Sequence, residues 1–151
     1  MSIKAALLGL ILIFASMGSF GQKLPNLVTR YLDQDFSRWK FAGQCSGEKH
    51  NAVISGDFDG NKKRDYVVKF VRGNKGFMMA FLNNGRRYKA FYLHFFTADE
   101  ANFSYLTLFK KGEQYEPAGT PKLKFDSPAD FQCESDIGGV HAYIGGKFVA
   151  Y

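Results

Sequence analysis

Closely spaced turn signals after residue 50 restrict the fold of this chain more than any other feature of its sequence. Asn83-Asn84-Gly85 and Gly145-Gly146 each separate two apolar stretches, and these residue types tolerate the positive φ of tight hairpin turns. The stretches between turns, such as residues 66–71 and 88–96, are rich in β-branched and aromatic residues. Turns at a spacing of about 10–12 residues with short strands between them predict an antiparallel β-meander.

Residues 24–39 precede the predicted strands and have a helical periodicity instead. Apolar residues recur there at intervals of three to four positions, as on one face of a helix: Leu24, Leu27 or Val28, Tyr31 or Leu32, and Phe36. Pro25 suits the first turn of such a helix. The sequence therefore predicts an α+β fold, in which an N-terminal helix packs on one antiparallel β-meander sheet.

The start of the chain has the order of segments that is typical of a secretory signal peptide. Lys4 supplies the positive charge, residues 5–15 form an apolar run, and small residues follow up to Gly21. The apolar run is about eleven residues long, which is too short for the roughly 20 residues of a transmembrane helix. We therefore predict a signal peptide over residues 1–21 and a single domain over residues 22–151. The expected product is periplasmic or secreted and has no membrane span after cleavage.

The chain is basic, with a formal net charge of +6 that falls by one unit when Lys4 is removed with the signal peptide. The basic residues are scattered, and no stripe of them alternates with aromatic residues as in a nucleic-acid-binding groove. The sequence therefore argues against a nucleic-acid partner. In an exported protein this charge fits an anionic surface or an acidic partner, and the alternative is that the basic residues are solvated turn residues that keep the protein in solution. The expected partner is a protein or glycan of the cell envelope or exterior.

Two cysteines, Cys45 and Cys133, follow the predicted cleavage point. Export to an oxidising compartment predicts a disulfide between them, which would close a loop of about 88 residues and stabilise the fold by roughly 4 kcal/mol. The alternative is a catalytic Cys45 with His50 as its base. A catalytic cysteine also needs a group that orients the base, and the sequence around these two residues shows none.

A short acidic loop, residues 57–65, places oxygen-bearing side chains at alternate positions between two predicted strands. Asp57, Asp59 and Asn61 stand at positions 1, 3 and 5 of this acidic loop, and Asp65 stands at position 9. The backbone carbonyl of Lys63 would supply position 7. Calcium takes about 6–8 oxygen ligands, and this spacing directs several of them inward. The sequence therefore predicts a calcium site with the ligands Asp57, Asp59, Asn61, Lys63 and Asp65.

The spacing of the acidic loop differs from that of an EF-hand. An EF-hand would need glycine at position 6 and glutamate at position 12, where this chain has Lys62 and Val68. The loop instead resembles the calcium loop of integrin-type FG-GAP and VCBS repeats, which place Asp-x-Asp-x-Asp/Asn-Gly-x-x-Asp between two strands. This resemblance covers about 15 residues and implies an ion that fixes the turn between the strands. A propeller of such repeats needs about 4–8 blades, more than the chain can hold.

A metal-free turn is the alternative for the acidic loop. Asp57, Asp59 and Asn61 would then accept hydrogen bonds from backbone amides. The basic residues 62–64 would neutralise the carboxylates, and their charge opposes a bound cation.

These observations predict a non-enzymatic exported binding module. The sequence contains no phosphate-binding loop, dinucleotide fingerprint, nucleophile elbow or zinc-spaced pair of histidines. The expected recognition surface is an exposed sheet face or the aromatic edge around Tyr88, Tyr92 and Phe95. The alternative is a small hydrolase of cell-wall or glycan material, which requires that carboxylates converge with some of the histidines His50, His94 and His141.

Two further possibilities have their own structural requirements. A hydrolase with paired carboxylates would bring Asp99 or Glu100 close to Asp130 or Glu134. A component of a larger envelope assembly would expose a large apolar patch.

Overall fold

The computed structural model describes residues 23–43, 45, 51–115, 121–135 and 137–151. Of these residues, 49% lie in strands and 13% in helices, and the strands form two antiparallel sheets. The predicted α+β fold with a helix packed on one meander sheet is therefore wrong, because the domain is mostly β and its strands divide into two sheets. The predicted signal peptide lies outside the described residues. Within them, no helix is long and apolar enough to cross a membrane.

Two helices and nine strands make up the regular structure of the described residues. In chain order they are α1 (Asn26–Asp35), β1 (Lys40–Phe41), β2 (Val53–Gly56), β3 (Asp65–Arg72), β4 (Lys75–Asn83), β5 (Tyr88–Thr97), α2 (Ala98–Asn102), β6 (Ser104–Phe109), β7 (Ser127–Gln132), β8 (Gly138–Ile144) and β9 (Lys147–Ala150). The helix predicted over residues 24–39 is thus present but shorter. The turns predicted at residues 83–85 and 145–146 connect β4 to β5 and β8 to β9.

Among the described residues, one isolated β-bridge connects the two sheets. In the first sheet, β3 pairs with β4 and β4 with β5, while the short strands β1 and β2 lie one after the other along the other side of β3. In the second sheet, β6, β7, β8 and β9 pair in chain order. An antiparallel bridge between Asn51 and Leu106 connects the sheets near β2 and β6.

The helix α2 interrupts the predicted meander between β5 and β6. Thr97 and Glu100 form a capping box, in which each side chain accepts a hydrogen bond from the backbone N–H of the other residue. Ala101 packs against Gly76 of β4, where a Cβ would overlap the Ala101 side chain. The helix therefore takes the chain out of the first sheet, and β6 begins a second sheet instead of pairing with β5.

The central strand β4 is buried on both faces and contributes side chains to two hydrophobic cores. Successive side chains of a strand point to opposite faces. Phe77 and Phe81 lie on the face where α1 contributes Leu32 to the first core. Met78 lies on the opposite face and packs with Leu106 of the second sheet. The space between the two sheets is therefore a second core, to which both sheets contribute.

The predicted disulfide between Cys45 and Cys133 is confirmed, with the Cα atoms 5.5 Å apart and a sequence separation of 88 residues. It joins the segment after β1 to the residue after β7, and so it links the regions of the two sheets. Because both thiols are bonded, Cys45 is not a free nucleophile. His50, its suggested base, lies outside the described residues.

Residues 123–125 lie between β6 and β7 and form no strand. Leu123 belongs to a third core cluster that includes Ala129 of β7 and Val140 of β8. The ring of Phe125 lies against Gly60 of the acidic loop, which has a φ of +79° and no room for a side chain. This segment therefore covers the acidic loop and the second sheet, and Leu123 exchanges backbone hydrogen bonds with Gly112 and Glu113 outside any strand.

Candidate functional site

The acidic loop connects β2 to β3 and brings three carboxylates together. Carboxylate oxygens of Asp57, Asp59 and Asp65 all lie within 4.8 Å of one another. Asn61 lies beside them, and its side-chain nitrogen donates a hydrogen bond to Asp59 Oδ2 at 3.0 Å. Four of the five predicted ligands therefore meet in one place. Lys63 contacts the group through its backbone N–H, which donates to Asn61 Oδ1 at 2.8 Å.

Backbone amides of the loop donate to the carboxylates of Asp57 and Asp59. The Lys62 N–H donates to Asp57 Oδ2 at 3.1 Å, and the Asn61 N–H donates to Asp59 Oδ1 at 3.1 Å. These hydrogen bonds match the metal-free alternative. They leave Asp57 Oδ1 as a buried oxygen without a hydrogen-bond partner among the described residues. A buried oxygen without a donor costs free energy, and a cation beside it would offset that cost.

Asp65 closes the loop from the first residue of β3 and is fully buried. Its oxygens accept hydrogen bonds from the backbone N–H groups of Phe58 at 2.8 Å and Asn83 at 2.7 Å. Burial raises the pKa of Asp65 to about 6; the two hydrogen bonds oppose this shift, and the charges of Asp59 and Asp57 add to it. The loop therefore concentrates negative charge around a buried carboxylate, which is a favourable setting for a cation.

The basic side chains of the loop do not occupy this space. Lys63 Nζ donates to the carbonyl of Asn84, in the turn between β4 and β5, at 2.8 Å. Lys62 and Arg64 are exposed to solvent. The positive charges beside the loop are therefore largely screened by water, and they oppose a cation less than their positions in the sequence suggest.

A β-bulge in β5 directs side chains to opposite faces of the first sheet. Tyr92 and His94 pair with consecutive residues of β4, so that Leu93 between them is paired with no residue of that strand. Strict alternation would put Tyr92 and His94 on the same face. The bulge instead leaves Tyr92 on the side of α1 and turns His94 toward the second sheet.

Tyr92 and Phe95 form an exposed aromatic pair on the side of α1. Their rings are stacked, with centroids 5.0 Å apart, and the residues are 50% and 61% exposed. Phe95 rests against Phe77 and Tyr92 against Phe36, so the first core supports the pair from below. Tyr88, the third residue of the predicted aromatic edge, is partly buried against another tyrosine. The structure therefore narrows the predicted edge to Tyr92 and Phe95.

A cleft of about 900 Å³, which we call the aromatic–basic cleft, opens beside Tyr92. It lies between the end of α1 and the turn that connects β3 to β4. Its charged lining consists of three basic residues, Arg38, Arg72 and Lys75, and one acidic residue, Asp35. Phe36, Phe77 and Tyr92 add aromatic surface, and Ser37, Gly73 and Asn74 complete the lining. The cleft thus combines positive charge with apolar surface, which suits an anionic ligand that also has an apolar face.

Two histidines and an aspartate from three strands meet between the sheets. His94 Nδ1 on β5 lies 3.1 Å from Asp130 Oδ2 on β7, and His141 Nε2 on β8 lies 2.9 Å from Asp130 Oδ1. Asp130 and His141 are buried, whereas the side chain of His94 is 48% exposed. Burial raises the pKa of Asp130, but the hydrogen bonds and charges of His141 and His94 outweigh it and hold this pKa below its usual value.

Lys69 is another buried polar residue in the layer between the sheets. Its Nζ atom donates to the carbonyl and hydroxyl oxygens of Ser104 at the start of β6. Burial lowers the pKa of Lys69 to about 8, and the negative charge of Asp130 opposes part of this shift. Lys69 and Asp130 are therefore a buried base and a buried acid that interact electrostatically.

A cavity of about 180 Å³ gives access to these polar residues. Its lining includes His94, Ser104, Asp130 and Glu100. The Glu100 carboxylate accepts hydrogen bonds from the backbone and hydroxyl of Thr97, while Asp130 is engaged by the histidines. Glu100 and Asp130 therefore do not form the pair of free carboxylates that a paired-acid hydrolase requires.

The sequence does not predict the cluster of His94, Asp130 and His141 as a site, although the hydrolase alternative requires some carboxylates to converge with these histidines. The aspartate lies 36 positions from one histidine and 11 from the other, so no local spacing connects the three residues. The available signal was weak: each histidine is a polar residue inside an otherwise apolar or aromatic strand. Only the pairing of strands within and between the sheets reveals that they converge.

Three features thus stand out among the described residues: the acidic loop, the aromatic–basic cleft, and the cluster of His94, Asp130 and His141. The first was predicted from its residues, the second in part, and the third only as the convergence that the hydrolase alternative requires. Each has to be interpreted from its own geometry. No protein-family model, curated protein or solved structure matches this chain.

Proposed function

We propose that the mature chain is an exported, non-enzymatic binding module that recognises an anionic glycan of the cell envelope or exterior. The observation that carries this proposal is the exposed Tyr92–Phe95 pair beside a cleft lined by three basic residues. In this proposal the protein is periplasmic or secreted, and the disulfide suits the oxidising conditions there.

The chemistry of the aromatic–basic cleft fits such a ligand. Sugar rings present flat faces of C–H groups, which pack against aromatic rings such as those of Tyr92 and Phe95. The guanidinium groups of Arg38 and Arg72 each form bidentate hydrogen bonds with a carboxylate or sulfate, and Lys75 adds a further positive charge. A glycan that carries acidic groups satisfies both requirements, whereas a neutral glycan satisfies only the first.

Calorimetric titration of the mature protein with oligogalacturonates, and with uncharged oligosaccharides of the same length, tests the proposal. We expect saturable binding of the anionic series alone, with an affinity that falls as salt concentration rises. The double variant Tyr92→Ala/Phe95→Ala should weaken binding by about tenfold or more, a loss of about 1.4 kcal/mol.

Phe103→Ala is the matched control, because Phe103 is an exposed phenylalanine outside the cleft lining, with 57% of its surface accessible. It should leave binding unchanged. Equal binding of charged and uncharged sugars, or equal weakening in the control variant, would contradict the proposal. If no oligogalacturonate binds at all, the glycan proposal fails, and an acidic protein becomes the partner to test.

We further propose that the acidic loop binds calcium in a structural role. The three carboxylates within 4.8 Å of one another support this proposal, as does the buried Asp57 oxygen that lacks a donor. The ion would fix the turn between β2 and β3 and would take no part in ligand binding.

A small hydrolase of cell-wall or glycan material is the second candidate function, and the cluster of His94, Asp130 and His141 favours it. A histidine held by a buried carboxylate beside an accessible cavity is a usual arrangement for general acid–base catalysis. Release of reducing ends from peptidoglycan or oligogalacturonate, lost in His94→Gln, would establish this function in place of simple binding. Unchanged substrates after prolonged incubation would exclude these two substrate classes.

A further inference from the structure

We propose that His94, Asp130 and His141 form a binding site for one divalent transition-metal ion, and that Zn²⁺ is the ion that fits this ligand set. The site is separate from the acidic loop and goes beyond the binding function proposed above. Imidazole nitrogen and carboxylate oxygen are the ligands of zinc sites that have three protein ligands and one open position.

The separations between the ligand atoms support a single shared ion. The facing nitrogens of His94 and His141 lie 3.1 Å and 2.9 Å from the two oxygens of Asp130. The three residues can offer one ligand atom each, all within 4.8 Å of one another. Neighbouring ligands of a tetrahedral zinc ion with bonds of about 2.0–2.2 Å are about 3.3 Å apart. Only small side-chain adjustments are therefore needed to admit an ion.

The protonation of the histidines is compatible with an exchange between a hydrogen-bonded and a metal-bound state. A carboxylate only accepts hydrogen bonds, so each neutral histidine holds its proton on the nitrogen that faces Asp130. When a metal binds that nitrogen, the proton moves to the other nitrogen of the same ring by exchange with solvent. The exchange is a change of tautomer and involves no redox step.

The position of the cluster in the fold also favours a metal site. His94 belongs to the first sheet, whereas Asp130 and His141 belong to the second, so an ion would link the two sheets. The β-bulge at Leu93 turns His94 toward the cluster, and bulges are common beside functional sites. The adjacent cavity of about 180 Å³ offers room for water as the fourth ligand.

Lys69 is the described residue that opposes an additional positive charge in this layer. Its ammonium group donates to Ser104 and interacts electrostatically with Asp130. Glu100, which lines the cavity together with Asp130, is engaged by Thr97. We therefore expect zinc binding that is specific but weaker than in a site made of thiolates or several carboxylates.

Calorimetric titration of chelator-treated mature protein with Zn²⁺ tests the proposal, together with visible absorption spectra of the protein loaded with Co²⁺. We expect one ion per chain and Co²⁺ bands of a four-coordinate site. His94→Gln should weaken zinc binding by about 100-fold or more, since loss of an outer-shell partner alone costs about 10- to 100-fold. The half-exposed side chain of His94 makes this variant compatible with folding, and circular dichroism checks that it folds.

His141→Gln is the second variant, with the same expected loss, and Asp59→Asn in the acidic loop is the control that should bind zinc normally. The proposal is overturned if zinc does not bind saturably, or if His94→Gln folds and binds with unchanged affinity. Loss of binding in Asp59→Asn but not in His94→Gln would overturn it as well, because the metal would then occupy the acidic loop.

Discussion

The Nδ1 atom of His94 lies 3.1 Å from Oδ2 of Asp130, although the residues are 36 positions apart and belong to different sheets. His141 binds the other oxygen of the same carboxylate. These polar contacts join the sheets at β5, well away in sequence from the bridge at Asn51. Asp130 therefore holds one histidine from each sheet, and its replacement should weaken the contact between the sheets.

Removal of the disulfide should destabilise the protein strongly. The bond closes a loop with a sequence separation of 88 residues, and loss of such a constraint from the unfolded chain costs roughly 4 kcal/mol. The double variant Cys45→Ser/Cys133→Ser should therefore unfold at a much lower urea concentration than the oxidised protein. Reduced wild-type protein is the control and should behave like the double variant. Unchanged unfolding midpoints would show that the cross-link adds nothing to the fold.

Calcium should stabilise the protein through the acidic loop. An ion at a concentration 100 times its dissociation constant stabilises a folded protein by about 2.7 kcal/mol, which raises the melting temperature measurably. Asp57→Ala should remove this effect, because Asp57 contributes the buried oxygen that has no donor among the described residues. His94→Gln, outside the loop, should retain it. A melting temperature that is insensitive to millimolar calcium would identify the loop as a metal-free turn.

Lys69 should make the stability of the metal-free protein depend on pH in the alkaline range. Its pKa is about 8 in the folded protein and 10.5 in the unfolded chain. Between these values the unfolded chain binds more protons, so the free energy of unfolding rises with pH; below pH 8 the cost of the buried charge is fully present. Urea unfolding of wild type and Lys69→Met across this range measures the effect, and the variant should lack the rise.

Tyr31 also makes the free energy of unfolding depend on pH, at the upper end of this range. Burial raises the pKa of Tyr31 from 10.0 to about 12, so the unfolded chain loses this proton first and stability falls as pH rises above 10. Wild type and Lys69→Met both contain Tyr31, so the difference between their free energies of unfolding reports the effect of Lys69 alone. Parallel curves for wild type and Lys69→Met would contradict the assignment of a depressed pKa to this lysine.

Gly76→Ala should destabilise the junction between α2 and β4. A Cβ at this position would overlap the Ala101 side chain and lie 2.9 Å from the Thr97 carbonyl oxygen. Overpacking of this kind costs about 1–3 kcal/mol. Thermal melts should show the loss, and Ala101→Gly in the same chain should restore part of it. A stable single variant would mean that α2 moves away from the sheet at little cost.

The sequence predicts the local elements of this fold better than their assembly. Turn residues at positions 83–85 and 145–146 predict hairpins, because a tight turn depends on the φ values that these residues themselves can adopt. The division into two sheets depends instead on how tightly α2 packs on Gly76, and a single antiparallel meander fits the strand pattern equally well. A glycine in a strand pattern indicates a close approach, but the sequence does not say what approaches.

The candidate sites differ in the same way, because one is formed by residues close together in the sequence and another by residues far apart in it. The oxygens of the acidic loop come from residues 57–65, and their spacing alone brings them together. The cluster of His94, Asp130 and His141 depends on the pairing of β7 with β8 and on the bulge in β5. Regular alternation through residues 88–96 would have placed His94 beside Tyr92, in the aromatic–basic cleft.

The bulge residue Leu93 also determines which deletions in β5 would move side chains from one face of the sheet to the other. The hydrogen-bonded ladder skips Leu93, so a chain that lacks this residue can keep Tyr92, His94 and Phe95 on their present faces. Loss of a residue elsewhere within the strand would reverse the faces of all the residues between that point and the bulge. A deletion at position 93 in a homologue is therefore compatible with both the Tyr92–Phe95 pair and the cluster of His94, Asp130 and His141. A deletion at a neighbouring position would indicate that the side chains at these two sites have changed.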